Sequence, residues 1–340
     1  MAAIEARALC KAYRRPLRAP GLSGSVRHLL RPRHQDIVAV DHLDLSIEAG
    51  EAVCYVGPNG AGKSTTIKLL TGILRPTAGT VRVLGRDPHR QRVANARDIA
   101  ATFGNRSQLN WDLPLGESLA LLRDIYAVPQ GRYRQHLRTC ADILGIDAFL
   151  SAPVRQLSLG QRVRADLAAA LVHDPKILYL DEPTVGLDIA VKERLRAFLR
   201  QLHRERGLTI PLTTHDLADI EDVCDRLVII DQARLLYDGT LRQVRDRFAR
   251  ERVLRFVVRQ PDRADPAGIL AGCGPVRAAW EGDTLVVAFD RLAVESPAVT
   301  ARVLRAMDVV DFHLADAGIA DVVRRVYERR LDLAEEGGQP

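Results

Sequence analysis

Residues 57–64 form a glycine-rich segment of the kind that binds phosphate groups. The segment reads GPNGAGKS and matches the pattern G-x-x-x-x-G-K-[ST] at every fixed position. Its glycines allow backbone amides to point at a phosphate, its lysine can reach the β- and γ-phosphate oxygens, and its final hydroxyl can bind Mg²⁺. We therefore predict ATP and Mg²⁺ as cofactors. The predicted nucleotide-binding residues are Gly57, Pro58, Asn59, Gly60, Ala61, Gly62, Lys63, Ser64 and Thr65.

Two acidic residues follow a second apolar segment. Asp181 and Glu182 come directly after Ile177–Leu180, and α/β sheets place ligands at the carboxyl ends of their strands. We predict that Ser64 and Asp181 bind Mg²⁺, the latter through water, and that Glu182 is the general base for an attacking water. Standing alone, two such acids would more often cap a helix or lie in a solvated turn. The phosphate-binding segment favours the catalytic interpretation.

The apolar pattern around these motifs predicts the elements that must position them. From Ile37 to about Leu241, short apolar runs alternate with longer helical patterns. This alternation indicates an α/β domain with a largely parallel sheet. Residues Ala52–Val56 and Ile177–Leu180 are predicted as buried strands, and a helical pattern at 65–70 follows the phosphate-binding segment. The motifs therefore lie at the ends of strands, where their chemistry requires them.

A further motif lies between the two strands and identifies a family. It opens a helical pattern at 163–171, and it resembles the LSGGQ signature of the ATP-binding-cassette (ABC) proteins, which other P-loop ATPases lack. The resemblance implies that the motif and the helix N-terminus face a γ-phosphate held by a partner subunit. The third residue departs from the usual glycine. The signature residues are Leu157, Ser158, Leu159, Gly160 and Gln161.

Other residues match further ABC motifs in the family's order. Gly186-Leu187-Asp188 resembles the D-loop, and Thr214-His215-Asp216 resembles the switch histidine segment. The resemblance implies that His215 contacts the γ-phosphate and that Lys63, Glu182 and His215 form the catalytic set. Tyr13 resembles the aromatic residue that stacks on adenine, with a core tyrosine as the alternative.

The Q-loop residue has two candidates. Counting back from Pro114 and Glu117 places the family's glutamine position at Asn105, whereas Gln108 is the glutamine that the segment contains. We favour Gln108 as the metal-binding residue, because the asparagine side chain is shorter by one methylene.

The fold class that follows is α/β: a P-loop NTPase ABC nucleotide-binding domain with a helical subdomain, plus a small C-terminal α/β module of ferredoxin-like type. Strand, hairpin and helix patterns after residue 250 predict this module. We predict the domains as 1–249 for the ATPase, 250–333 for the accessory module and 334–340 for a tail. Within the first domain, 14–36 is predicted as a basic insertion and about 105–170 as the helical subdomain, with helices over 117–128 and 133–144.

Composition excludes several classes of protein. The five cysteines are scattered without a C-x-x-C pair, so neither a zinc site nor a disulfide framework is indicated. No stretch approaches 18 uninterrupted apolar residues, which argues against a membrane span. The net charge of +6 is modest for 340 residues, and we expect no nucleic-acid partner. The basic insertion is interpreted as a solvated loop, with a contact to anionic lipid as the alternative.

Together these features predict the ATP-binding and ATP-hydrolysing subunit of an ABC membrane transporter. The resemblance extends to the ABC-2 export class, and within it to a viologen-exporter branch, on the segments 21–25 and 107–114 and the C-terminal module. It implies ABC-2-type permease subunits as partners, a second ATPase subunit in a head-to-tail dimer, and a cytoplasmic position on the inner face of the membrane. Two alternatives stay open: a soluble ABC ATPase acting on a ribosome or nucleic acid, and a regulator that binds nucleotide without hydrolysis.

Overall fold

The structure is a computed structural model that describes residues 2–16, 34–103, 107–248, 251–259, 265–316 and 322. The chain forms two compact units, which divide between Asp238 and Gly239. In the described part of the chain, no helix combines the length and the apolar character that crossing a bilayer requires.

The first unit contains nine strands and seven helices among its described residues. The strands are β1 (Ala2–Pro16), β2 (His34–Glu48), β3 (Ala52–Val56), β4 (Ala78–Val83), β5 (Ile99–Phe103), β6 (Ile177–Asp181), β7 (Ile210–Thr213), β8 (Arg226–Asp231) and β9 (Arg234–Thr240, which runs into the second unit). The helices are α1 (Lys63–Leu70), α2 (Arg92–Asp98), α3 (Leu115–Ile125), α4 (Gln130–Leu144), α5 (Leu159–Ala170), α6 (Ile189–Arg206) and α7 (Leu217–Val223).

The central sheet has six strands in the order β5-β6-β7-β3-β8-β9. Its pairs from β5 to β8 are parallel. Every residue of β3 is buried, as are the first four of β6, because packed elements cover both faces of the parallel sheet. The parallel α/β sheet predicted from the sequence is confirmed, and its strand ends carry the motif residues.

A second, antiparallel sheet of order β2-β1-β4 lies against the first. One core cluster joins the two, with Ile4 and Leu9 of β1, Tyr55 of β3 and Ile67 of α1 among its members. The sequence pattern alone did not reveal this sheet. Burial alternates along β2 only in its second half, while residues 34–38 are exposed.

The predicted insertion at 14–36 begins and ends as paired strand. Strands β1 and β2 continue their antiparallel pairing to Pro16 and His34. The ends of the segment, 14–16 and 34–36, are therefore regular β-structure rather than loop, a correction to the sequence interpretation. Residues 17–33, which include the segment 21–25, lie outside the described residues.

Helices α3, α4 and α5 make up the region predicted as a helical subdomain. Helix α3 begins at Leu115 and α4 at Gln130, each directly after a proline, which is well suited to a helix start. Short 3-10 turns at Asp147–Phe149 and Val154–Gln156 connect α4 to α5. The N-terminus of α5 therefore lies in this helical region and not at the end of a strand of the parallel sheet.

The second unit follows the order β-α-β-β-α-β after an initial helix. Its elements are α8 (Leu241–Phe248), β10 (Glu251–Val258), α9 (Pro266–Leu270), β11 (Val276–Glu281), β12 (Thr284–Asp290), α10 (Ser296–Ala306) and β13 (Val309–Asp316). The antiparallel sheet has the order β11-β12-β10-β13. This is the split βαβ arrangement of ferredoxin-like folds. Its core includes Phe256, Val287 and Val299.

Candidate nucleotide-binding site

The phosphate-binding segment is the turn between β3 and α1. Gly60 and Gly62 have φ of 86° and 106°, in the region that favours glycine. A Cβ at Gly62 would lie 2.1 Å from the carbonyl oxygen of Ala39 in β2, and one at Gly57 would lie 2.6 Å from the carbonyl oxygen of Ile230 in β8. The loop therefore packs against its neighbouring strands so closely that side chains are excluded at two positions.

Lys63 begins α1 and turns back across this loop. Its Nζ donates to the carbonyl oxygens of Gly57 at 2.6 Å and Pro58 at 3.3 Å. Burial lowers the pKa of the Lys63 ammonium, while the nearby carboxylates of Glu182 and Asp181 raise it. The ammonium is 4.0 Å from Glu182 Oε1. The structure thus holds a cation between the glycine-rich loop and the acids at the end of β6.

Asp181 lies at the carboxyl edge of the sheet and receives hydrogen bonds from two hydroxyls. Ser64 Oγ donates to Asp181 Oδ1 at 3.1 Å, and Thr213 Oγ1 donates to the same oxygen at 2.6 Å. Thr213 is available because it is the register partner of Asp181 in the neighbouring strand β7. A carboxylate and hydroxyls are hard oxygen ligands of the kind that Mg²⁺ prefers, so this group of residues fits the ion.

Glu182 occupies a strained position immediately after β6. Its φ of 53° is unfavourable for a residue with a side chain. Its backbone N–H donates to the carbonyl oxygen of Thr213 at 2.9 Å, which helps to hold the backbone in place. The carboxylate lies between Lys63 and His215, whose Nδ1 is 3.4 Å from Glu182 Oε2. The candidate base Glu182 therefore lies close to both a cation and an exposed imidazole.

A buried polar cluster holds the two acid-bearing segments together. Asp219 of α7 is 1% exposed and accepts hydrogen bonds from Thr184 Oγ1 at 2.6 Å and Thr214 Oγ1 at 2.8 Å. Arg196 of α6 is 3.4 Å from the same carboxylate. Thr184 follows Glu182 by two residues and Thr214 precedes His215 by one. Asp219 therefore fixes the spacing of the candidate base and the switch histidine.

Sequence reasoning missed both Asp219 and the role of Thr213. A signal for Thr213 exists, because it ends an apolar run that the sheet could place beside the strand of Asp181. Asp219 carries no comparable signal, since an acid in the first turn of a helix is ordinarily a solvated residue near the positive end of the dipole. Its burial is a tertiary feature.

The signature residues form the N-terminus of α5. Ser158 is the N-cap, with Gln161 N donating to Ser158 Oγ at 3.2 Å and Ser158 N donating to Gln161 Oε1 at 2.9 Å. This reciprocal pair is a capping box. Leu157 is buried, whereas Ser158 and Leu159 are exposed. Among the described residues, no hydrogen bond or ion pair joins this motif to the phosphate-binding segment or to Asp181, Glu182 and His215.

The departure from the signature, Leu159, contacts the D-loop. A Cβ at Gly186 would lie 2.8 Å from Leu159 Cδ2, and Gly186 has φ of 74°. Asp188, two residues later, caps α6 by accepting a hydrogen bond from Val191 N at 2.9 Å. The starts of α5 and α6 therefore lie side by side, each with its own cap.

Two other predicted site residues lie apart from this group. Gln108 is exposed on the segment that follows β5, where its neighbour Ser107 donates to Asp166 of α5. Asn105 lies outside the described residues, so the two Q-loop candidates are not distinguished. Tyr13 of β1 pairs with Ile37 of β2. Ile37 lies two positions before Ala39, whose carbonyl oxygen packs against Gly62. The Tyr13 side chain is 39% exposed. That exposure excludes the core-tyrosine alternative.

Comparisons with known proteins place this geometry in a family. Residues 40–185 match the family described as ABC transporter. The chain is 36% identical to the sulfate/thiosulfate import ATP-binding protein CysA of Mycobacterium tuberculosis over 66% of this chain and 64% of that protein. It is also 36% identical to the Nod factor export ATP-binding protein I of Burkholderia orbicola, over 61% of this chain and 67% of that protein.

Among solved structures, a dimeric ATP-binding cassette in a post-hydrolysis state bound to ADP and Pi is 25% identical, with a TM-score of 0.58. The alignment covers 70% of this chain and 98% of that chain. The chain spans just under two thirds of the length of its sulfate/thiosulfate import relatives. The predicted P-loop ABC fold is confirmed, and the chain belongs to the ABC transporter family as an ATP-binding cassette.

Proposed function

We propose that this chain is the ATP-hydrolysing subunit of an ABC exporter. The observation that carries the proposal is the convergence of Lys63, Ser64, Asp181, Glu182 and His215 at one edge of the parallel sheet. A cation, two oxygen ligands, a candidate base and an imidazole are the parts that phosphoryl transfer to water requires.

Each residue has a part in this proposal. The backbone amides of the 57–64 loop and the Lys63 ammonium bind the phosphates, and Ser64 with Asp181 holds Mg²⁺. When bound, Mg²⁺ neutralises charge that develops on the phosphate oxygens. Glu182 accepts a proton from the attacking water, and His215 orients that carboxylate and contacts the γ-phosphate. Tyr13, exposed on β1 near the loop, provides a surface on which adenine can stack.

The site becomes complete when two chains associate head to tail. Ser158 and Leu159 at the start of α5 are exposed, and in the part of the chain that the structure describes they make no hydrogen bond to the phosphate-binding residues. A helix N-terminus favours anions, so we assign the γ-phosphate bound by the other chain as its ligand. Two equivalent ATP molecules would then lie between the chains, and hydrolysis would allow the dimer to open.

Motion of this dimer is proposed to drive separate permease subunits of the ABC-2 type. We assign the contact surface to residues 105–126, where Trp111 and Ile125 are 50% and 65% exposed. The relatives include both import and export proteins, so the export direction rests on the subfamily resemblance. The subunit would sit on the inner face of the membrane through its permease.

The deciding experiment combines hydrolysis with capture. Glu182→Gln removes the base while keeping the side-chain shape, so hydrolysis should fall at least about a hundredfold while ATP binding persists. Captured from detergent-solubilised membranes with ATP, this variant should bring a multi-span membrane protein with it. Glu281→Gln, a change in the second unit, is the control and should hydrolyse ATP at the wild-type rate.

Two outcomes would contradict parts of this proposal. Recovery of ribosomes or nucleic acid without a membrane protein would favour a soluble ABC ATPase of the kind that remodels those assemblies. Wild-type protein that binds ATP, purifies with its permease and yet fails to hydrolyse ATP would favour a nucleotide-dependent regulator.

A further inference from the structure

Strand β13 forms an edge of the second unit's sheet in the part of the chain that the structure describes. It pairs with β10 over residues Arg252–Val258, and no other described strand pairs with it. Edge strands offer unpaired amide and carbonyl groups to a further strand, and proteins usually protect them with charge, proline or bulges.

One side of this edge strand is apolar and exposed. Val310, Phe312 and Leu314 alternate along β13 and are 57%, 48% and 41% exposed. Phe312 lies opposite Phe256 in the pairing register, and the two rings stack with centroids 6.0 Å apart. Phe256 is fully buried. The apolar row therefore continues the core face of the sheet to its edge.

The backbone of β13 shows which groups face outward. The N–H of Phe312 donates to the carboxylate of its own neighbour, Asp311, at 2.8 Å. This N–H therefore takes no part in the backbone hydrogen bonds between β13 and β10. Because outward and inward amides alternate along an antiparallel strand, the amides of Val310 and Leu314 share this outward direction.

We propose that β13 pairs antiparallel with β13 of a second copy of this chain, about a two-fold axis at Phe312. In this register Phe312 lies opposite itself, and its outward N–H exchanges its bond to Asp311 for a bond to the second copy. Val310 then lies opposite Leu314, so that the apolar row is doubled. Asp311 lies opposite His313, an acid against a base, and these become the non-hydrogen-bonded pairs whose side chains approach most closely.

We assign a second copy of the chain as the partner of this edge because β13 is complementary to itself in both apolar character and charge. A register shifted by two residues would set Asp311 against Asp311 or His313 against His313. The contact lies wholly in the second unit and needs no nucleotide. It is therefore separate from the head-to-tail ATP dimer, and either can fail without the other.

Cysteine cross-linking of the full chain, without nucleotide and with EDTA present, tests the register. Opposed hydrogen-bonded residues have Cα atoms about 5.5 Å apart, a separation that a disulfide can span. Phe312→Cys should form a covalent dimer on mild oxidation. Val310→Cys is the matched control, more exposed but placed opposite Leu314, and should not cross-link to itself. Mixing Val310→Cys with Leu314→Cys chains should restore cross-linking, and wild type measures the background of the native cysteines.

Charge reversal tests the same contact without cysteines. Asp311→Lys should raise the dissociation constant of the nucleotide-free dimer about tenfold, because each of the two symmetric contacts loses the carboxylate that faces His313. Adding His313→Glu should restore it. Asp283→Lys, in the β11–β12 turn, should have no effect.

Sedimentation of the wild-type chain, 37.6 kDa as a monomer, gives the overturning results. A nucleotide-free monomer at all attainable concentrations would overturn the proposal. So would a chain that dimerises only after removal of residues 323–340, because its own C-terminal segment would then occupy the edge. Equal cross-linking of Phe312→Cys and Val310→Cys would overturn the register. ATP-dependent association of Glu182→Gln, measured in parallel, reports separately on the proposed function.

Discussion

At the scale of single residues, the candidate site depends on a hydroxyl that is not part of any motif. Thr213 Oγ1 donates to the Asp181 oxygen that also receives Ser64, and Thr213 accepts the N–H of Glu182. One side chain therefore orients the candidate metal ligand and helps to hold the strained backbone of the candidate base. Groups that hydrogen-bond to metal ligands commonly control metal affinity.

Thr213→Val should weaken the response to Mg²⁺. Valine keeps the shape of threonine but cannot donate to Asp181, so we expect the Mg²⁺ concentration for half-maximal ATP hydrolysis to rise about tenfold or more. Thr213→Ser keeps the hydroxyl and should stay near wild type. A Val variant with an unchanged Mg²⁺ titration would show that the hydrogen bond has no part in metal binding.

At the scale of elements, α5 connects the signature to the segment that carries Gln108. Its N-terminus carries the capping box of Ser158 and Gln161, and Asp166, two turns further on, accepts Ser107 Oγ. Burial raises the pKa of the Asp166 carboxyl to about 6, although hydrogen bonds from Ser107 and the Gln108 backbone oppose the shift. The helix therefore carries a titratable anchor for the loop after β5.

This anchor predicts a pH dependence of stability. Because the pKa of Asp166 is raised, the folded chain binds this proton more tightly than the unfolded chain does. Protonation of Asp166 therefore stabilises the folded chain fully below pH 3.8, and this stabilisation is lost as pH rises through about 6. At 1.36 kcal/mol per pKa unit, the change is at most about 3 kcal/mol. Asp166→Asn should flatten the curve of unfolding free energy between pH 4 and 6, measured by urea denaturation. An unaltered curve would contradict the assignment.

The contact between the starts of α5 and α6 makes a second prediction at this scale. Gly186→Ala places a side chain at positive φ and against Leu159 Cδ2, and we expect a loss of about 2 kcal/mol in unfolding free energy. Combining it with Leu159→Ala should recover the steric part but not the backbone part. Additive effects in this double-mutant cycle would mean that the two residues do not interact.

At the scale of the whole molecule, the head-to-tail dimer predicts that two inactive chains complement each other. Lys63→Ala removes a phosphate contact, and Ser158→Arg blocks the exposed signature surface. In a mixed dimer both lesions fall in one composite site and the other site is intact. An equal mixture should therefore regain roughly a quarter of wild-type hydrolysis, since half the dimers are mixed and each has one good site.

Complementation distinguishes between sites shared by two chains and sites within one chain. If each chain hydrolysed ATP on its own, mixing would restore nothing. Lys63→Ala mixed with Glu182→Gln is the matched control. Both of its lesions lie on the nucleotide-holding side, so a mixed dimer has no intact site and should stay inactive.

The sequence by itself determined the family, the parallel sheet and the order of its motifs. The glycine-lysine-serine loop, the acids after Ile177–Leu180 and the signature are local patterns whose chemistry depends on nearby residues. Local patterns of this kind can be recognised in a sequence because backbone geometry and apolar periodicity depend on only a few neighbouring residues. The helix and strand positions predicted around them agree with the structure to within a few residues.

Only the tertiary structure decided which residues meet across the sheet. Thr213 reaches Asp181 because β7 lies beside β6, Asp219 is buried because α7 packs against α6, and Leu159 meets Gly186 because two helix starts are adjacent. The long pairing of β1 with β2 and the exposed edge of β13 likewise depend on partners distant in sequence. Contacts of this kind follow from packing in three dimensions, and local sequence patterns do not decide which of them form.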